Sequence, residues 1–260
     1  MDTRPRKRFG QNFLTDNSVI RRIVAAVNPQ PGEHLLEIGP GQGALTAPLV
    51  QSGADLTLVE IDRDLAAMLA VRYPGVPLIT ADVLKVELSE VLLPGTRVVG
   101  NLPYNISTPL LFRLFEVSEN IVDMHFMLQL EVVDRLTASP STGSYGRLSV
   151  MAQYYCETQK MFEVPPEAFS PQPKVHSAVI GLRPRRERLA LDPAWLDRVL
   201  IKAFSARRKT VRNALKGLIS SDELEHLGID PALRPENLTI ENFADCANLL
   251  SHRGAPEAGA

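Results

Sequence analysis

The chain has 260 residues, with 28 Lys and Arg against 30 Asp and Glu, a net charge of −2, and 45% apolar residues. That supplies a core for one large domain and a smaller one and excludes a disordered chain; no apolar run approaches the roughly twenty residues of a membrane span. Met1 leads into basic residues without an apolar signal core, and Cys156 and Cys246 are far apart without metal-ligand spacing, so the expectation is a cytoplasmic protein with reduced thiols and no metal.

In chain order, a basic segment (Arg4, Arg6, Lys7, Arg8) precedes a series of short apolar runs. HLLEIG (34–39), LTLVEI (56–61), PLITAD (77–82), RVVGN (97–101) and MHFMLQL (124–130) predict strands. Near-continuous Val, Ile and Leu suit strands buried on both faces of a parallel sheet. Helical patterns lie between them at 44–52, 63–72 and 108–117, with Ser107 and Thr108 expected as the cap before Pro109. The fold class is α/β, doubly wound and Rossmann-like with helices on both faces, so ligands are expected at the carboxyl ends of the strands. SAVIGL (177–182) reads as one more strand after a proline-rich stretch, and the pattern from Pro193 to Leu250 is purely helical. The expected domains are 1–186, with 1–14 a mobile basic arm, a small all-helical domain at 187–252, and a disordered tail at 253–260.

EIGPGQGALT (37–46) follows a strand and opens a helix. Gly39 permits a tight turn, and Gly41 and Gly43 are expected to let the backbone approach a ligand. The run fits both the dinucleotide fingerprint and the glycine loop of S-adenosylmethionine (SAM) methyltransferases. Glu60 ends the second strand, where an acid grips ribose hydroxyls in either cofactor. Asp82 ends the third, where an acid can accept from the adenine amine, which a nicotinamide site does not require. VVGNLPYNIST (98–108) ends the fourth in an amide, a proline and an aromatic, with no charge. An amine acceptor needs positioning rather than a strong base. The Asn101 side-chain oxygen and the Leu102 carbonyl can accept both protons of an adenine amine. Pro103 has no N–H and fixes the chain direction, and Tyr104 offers a face for a flipped base.

From Arg183 to Lys216 there are 11 Lys and Arg against three acids, a local excess of +8. Such a cluster on an otherwise acidic chain is the footprint of a phosphate-backbone surface. As one helix, Leu200, Phe204, Val211, Leu215 and Leu218 would share a stripe that also contained Arg207. A break near 205–209 is therefore expected, with Arg207, Arg208, Lys209, Arg212 and Lys216 at a basic corner that binds RNA.

RKRFGQNFL (6–14), EIGPGQGALT, VVGNLPYNIST, YGRLSVMAQYY (145–155), AFSPQPKVHSAV (168–179) and AFSARRKTVRNALKGL (203–218) together resemble the small-subunit ribosomal RNA adenine dimethyltransferase A family, nearly end to end. The resemblance implies that Asn12, Leu14, Gly39, Glu60, Asp82 and Asn101 contact SAM. It places Phe169 with Tyr104 as walls around the target base. It implies four methyl transfers onto two adjacent adenines in a hairpin loop near the 3′ end of small-subunit ribosomal RNA, coupled to late subunit assembly, with kasugamycin resistance on loss. The partners expected are the small ribosomal subunit and its RNA, with no membrane and a monomeric enzyme. The basic arm is expected to fold over the cofactor. Leu130 and Gly181 depart from the basic residues many relatives carry. Three other readings stand beside this one: a nicotinamide-dependent oxidoreductase, a non-catalytic assembly factor, and a large-subunit RNA adenine methyltransferase.

Overall fold

The computed structural model describes residues 11–206 and 208–254. Arg207, the basic residues Arg4 to Arg8 and all but the first two positions of the tail 253–260 lie outside the described residues. The chain divides into two compact units. The first runs up to Val133 and adds Glu157–Pro184; the second joins Asp134–Cys156 to the residues from Arg185 onward. A single boundary at 186 does not anticipate this, because Asp134–Cys156 groups with helices that come later in the chain.

The first unit begins with a two-residue strand, β1 (Phe13–Leu14), and helix α1 (Asn17–Val27). The Asp16 carboxylate accepts from the Ser18 and Val19 N–H groups and caps α1. Val19, Ile23 and Val27 recur every fourth residue, and all three are buried. Strands and helices then alternate: β2 (His34–Ile38), α2 (Thr46–Gln51), β3 (Asp55–Glu60), α3 (Arg63–Arg72), β4 (Leu78–Thr80), α4 (Leu88–Val91), β5 (Thr96–Asn101), α5 (Ser107–Glu116) and β6 (Ile121–Gln129). Helices α6 (Leu130–Leu136) and α7 (Arg147–Tyr155) precede β7 (Cys156–Val164), β8 (Phe169–Ser170) and β9 (Ser177–Pro184). The five expected strands are all present, and SAVIGL lies within β9. Helix α1 and strand β7 were not anticipated. β7 lies at the sheet edge and reads CETQKMFEV, with too few apolar residues to announce a strand.

The sheet order is β4-β3-β2-β5-β6-β9-β7. β4, β3, β2, β5 and β6 are parallel neighbours, and β9 runs antiparallel to β6. Chain order reverses between β2 and β5, so their carboxyl ends flank a crevice. β1 and β8 form a separate antiparallel pair, Leu14 opposite Phe169.

Ser107 does not cap α5, as expected, but is its first residue; its hydroxyl instead donates to the Tyr104 carbonyl. That bond ties the helix start back to the NLPY segment.

In the second unit, helices α8 (Pro193–Phe204), α9 (Val211–Ala214), α10 (Ser221–His226) and α11 (Ile240–His252) follow. α8 stops at Phe204 and α9 starts at Val211, the break the Arg207 position requires. Phe204 lies between two buried rings, with centroids 6.3 Å from Tyr145 and 5.7 Å from Phe243. Thr239 opens α11 in a reciprocal capping box with Asn242.

At the end of the sheet opposite the crevice, Arg97 makes a clamp. Its guanidinium reaches both Asp123 oxygens at 2.9 and 2.8 Å, Glu33 at 2.9 Å and the Val27 carbonyl at 2.6 Å. Strands β5 and β6 and the end of α1 are thereby joined. Arg97→Leu should cost roughly 3 kcal/mol of unfolding free energy in urea titration, because it strands the buried Asp123 carboxylate. A loss below about 1 kcal/mol would mean that water replaces the clamp.

Candidate active site

The carboxyl ends of β2, β3 and β5, the turn after β4, β8 and the residues just before β1 surround a cavity of about 300 Å³. Asn12, Gly39, Glu60, Asp82, Asn101, Leu102, Pro103, Tyr104 and Phe169 all line it. Nine of the ten expected catalytic and cofactor positions are thus brought together. Leu14 stands apart: it is buried and lines a small neighbouring cavity beside Glu37 and Asn101. Arg208, Lys209, Arg212 and Lys216 are exposed around the α8–α9 corner of the second unit. Arg207 lies outside the described residues.

Each acid is held by backbone at the strand end that carries it. Glu60 accepts from the N–H of Gly41 at 3.0 Å and of Asp62 at 2.9 Å, one on each oxygen. Burial raises its pKa against those two bonds. Each oxygen keeps a further lone pair for a ligand hydroxyl. Asp82 accepts from the Leu84 N–H with one oxygen, at 3.0 Å.

The glycine loop is shaped by packing as well as by ligand approach. A Cβ on Gly41 would lie 3.2 Å from the Phe13 ring, and one on Gly43 would lie 3.2 Å from Leu69, both at positive φ. Gly43 therefore accommodates α3 rather than a ligand, which corrects the expectation. Gly100 was missed in the sequence. A Cβ there would lie 2.5 Å from the Ile38 carbonyl oxygen, so only glycine lets β5 pass this close to β2 just before Asn101. A glycine directly preceding the strand-end amide was the available signal.

Asn101 is oriented by the segment before β1. Its amide nitrogen donates to the Asn12 carbonyl at 3.1 Å. A carbonyl can only accept, so it is the NH₂ group of Asn101, not its oxygen, that meets Asn12. Leu102 donates its N–H to the Met127 carbonyl, anchoring the turn to β6.

Among the described residues, the titratable side chains lining the cavity are Glu60, Asp82 and Tyr104, with no cation beside them. Two carboxyl groups suit a ligand carrying positive charge, as a sulfonium does. They oppose a pyrophosphate, and the Gly41 N–H that a pyrophosphate would take is already given to Glu60. The described residues therefore fit SAM better than a nicotinamide dinucleotide. No group of three or more His, Cys, Asp or Glu able to hold a metal occurs among the described residues. Cys156 and Cys246 are buried free thiols, each pushed up to about 12 by burial.

A sequence model of the family described as ribosomal RNA adenine dimethylase matches residues 3–252. The chain belongs to that family. It is 52% identical to "Ribosomal RNA small subunit methyltransferase A" of Vibrio atlanticus, over 94% of this chain and 93% of the relative. It is 54% identical to the Acinetobacter baylyi protein of the same name, over 92% and 89%. Among solved structures, a dimethyladenosine transferase from Plasmodium falciparum superposes with a TM-score of 0.81 at 24% identity, covering 93% of this chain and 98% of that one. The 23S rRNA methyltransferase ErmE superposes at 0.70 with 28% identity, covering 92% and 100%. This ribosomal RNA adenine dimethylase is thus a SAM-dependent methyltransferase with a Rossmann-like sheet and a C-terminal helical region. No described helix is long and apolar enough to cross a membrane.

Under the glycine loop, the fully buried Glu37 accepts from the Thr46 hydroxyl at 2.7 Å. Burial pushes its pKa up to about 8; the Thr46 bond opposes the shift and nearby Glu60 adds to it. The unfolded carboxyl titrates near 4.5. Stability from the Glu37 proton is therefore full below about pH 4.5 and is lost as pH rises to about 8. Glu37→Gln cannot ionise and should fall less in stability between these limits than the parent. Parallel pH–stability curves for the two proteins would show that Glu37 is ionised in the folded state.

Proposed function

We propose that this enzyme transfers four methyl groups from SAM to N6 of two adjacent adenosines in the 3′-terminal hairpin loop of small-subunit (16S) ribosomal RNA, giving N6,N6-dimethyladenosines late in subunit assembly. The observation that carries the reading is the strand-end Asn101, whose amide nitrogen is spent on Asn12 and whose oxygen remains to accept from an amine. The relatives above 50% identity carry a small-subunit name, which supports that subunit over the large one.

SAM supplies a methyl group activated by its sulfonium. The chain's residues do the rest by placement. Glu60 and Asp82 would hold the ribose hydroxyls and the adenine amine of the cofactor, beside Gly39 and Asn12. The Asn101 oxygen and the Leu102 carbonyl accept the two N6 protons of the target base. Those bonds draw the amine lone pair out of the ring and align it for attack. Tyr104 and Phe169 clasp the extruded base. Pro103 keeps the turn that carries these groups from adding a competing N–H. No general base is required, because the N6 proton becomes acidic as the new bond forms and leaves to water.

The exposed Arg208, Lys209, Arg212 and Lys216 carry the RNA backbone contact, with Arg207. Tritiated methyl transfer to small subunits lacking the modification, followed by digestion to nucleosides, tests the assignment: label should appear in N6,N6-dimethyladenosine from the 3′-terminal hairpin. Label in large-subunit RNA, or none at all, would overturn it.

Asn101→Ala should lower turnover by about 100-fold while leaving SAM affinity within a few-fold in calorimetry. Undiminished turnover would remove the amide from the mechanism. Reversing Arg208, Lys209 and Arg212 to Glu should weaken subunit binding and flatten its salt dependence without changing SAM affinity. Unchanged subunit binding at moderate salt would place the RNA surface elsewhere.

A further inference from the structure

Tyr104 sits in the turn between β5 and α5, closed by the Ile106 N–H on the Pro103 carbonyl. The structure holds it from both ends. Its backbone carbonyl accepts from the Ser107 hydroxyl at 3.2 Å. Its own hydroxyl lies 3.2 Å from the Ser177 hydroxyl, within hydrogen-bonding distance. Ser177 is 1% exposed and is the first residue of β9, paired with Gln129 at the end of β6. The far end of the tyrosine is therefore fastened to the rigid sheet.

We propose that Ser177 is a positioning residue: by holding the Tyr104 hydroxyl it sets the ring plane against which the target adenine stacks, and so determines how completely monomethyladenosine proceeds to dimethyladenosine. This rests on the reading of Tyr104 as a stacking face.

The second transfer depends on the ring more than the first, for a reason of counting. In each transfer the carbon–sulfur bond of the methyl donor breaks, the N6–carbon bond forms, one N6 proton leaves to water, and the donor departs as a neutral thioether. Before the first transfer N6 has two N–H groups, and the Asn101 oxygen and Leu102 carbonyl hold both. Before the second it has one. With one hydrogen bond gone, the orientation of the nitrogen falls more heavily on stacking. A ring free to tilt should therefore penalise the second methyl.

The test compares Tyr104→Phe, Ser177→Ala and the double variant on small subunits under single-turnover conditions. Both single variants should raise the ratio of monomethyl to dimethyl product roughly fivefold, the size expected for one lost neutral hydrogen bond. The double variant should be no worse than either single one, because the two hydroxyls act as a unit. SAM affinity and melting temperature should stay close to the parent's. A readout independent of turnover comes from 3-fluorotyrosine labelling. The ¹⁹F resonance of Tyr104, assigned by its absence in Tyr104→Phe, should shift and narrow in Ser177→Ala as the ring is released. An unmoved resonance, or additive effects in the double variant, would overturn the strut. Tyr104→Ala separates the two levels of the argument. If it abolishes turnover while Tyr104→Phe and Ser177→Ala keep the parental product ratio, stacking stands and the strut falls. If Tyr104→Ala turns over normally, the stacking reading fails and takes the strut with it.

Discussion

The hydrogen bond from the Asn101 amide nitrogen to the Asn12 carbonyl joins two parts of the chain 89 residues apart. It turns an ambiguous side chain into a defined one. A free asparagine presents donor and acceptor equally, and a donor turned toward an amine would repel it. Fixing the nitrogen leaves the oxygen. The bond in turn depends on the segment at Gln11–Asn12 staying where it is, and this follows from β1 pairing with β8 and from Phe13 lying against Gly41. The glycine loop, Phe169 and Asn101 are thus parts of one arrangement.

Charge explains why so little chemistry is visible at the site. Among the described residues, the cavity lining carries two carboxyl groups and no cation. With an activated methyl delivered by the cofactor, the protein has no leaving group to protonate and no nucleophile to generate. What remains is to hold a nitrogen in line, which amides, carbonyls and aromatic faces do without titrating. Both Glu37 and Glu60 carry a raised pKa from burial close to the glycine loop. In the second unit, described positive charge gathers on the exposed corner between α8 and α9, so a chain of near-zero net charge still offers a cationic surface.

Much of the first unit was legible because its physics is local. Buried parallel strands read as runs of Val, Ile and Leu, and their carboxyl ends could be located to within a residue or two. Glu60, Asp82 and Asn101 stood out because each follows such a run. The break between α8 and α9 was legible because Arg207 would otherwise enter an apolar stripe. By contrast, β7 carries few apolar residues, the short ribbon of β1 and β8 is too brief for any period, and Asp134–Cys156 joins the second unit through packing with helices later in the chain.

The sequence by itself determined the α/β class, the strand-end positions of the acids and the uncharged NLPY turn, since each depends on residue type and short-range spacing. Tertiary structure alone decided that the amide nitrogen of Asn101 meets Asn12, why Gly43 and Gly100 must be glycine, that Leu14 lines a separate small cavity, and that the Tyr104 hydroxyl meets Ser177. These depend on contacts between residues tens of positions apart. A partner at that distance leaves no period or motif in the chain, only a shape that folding completes.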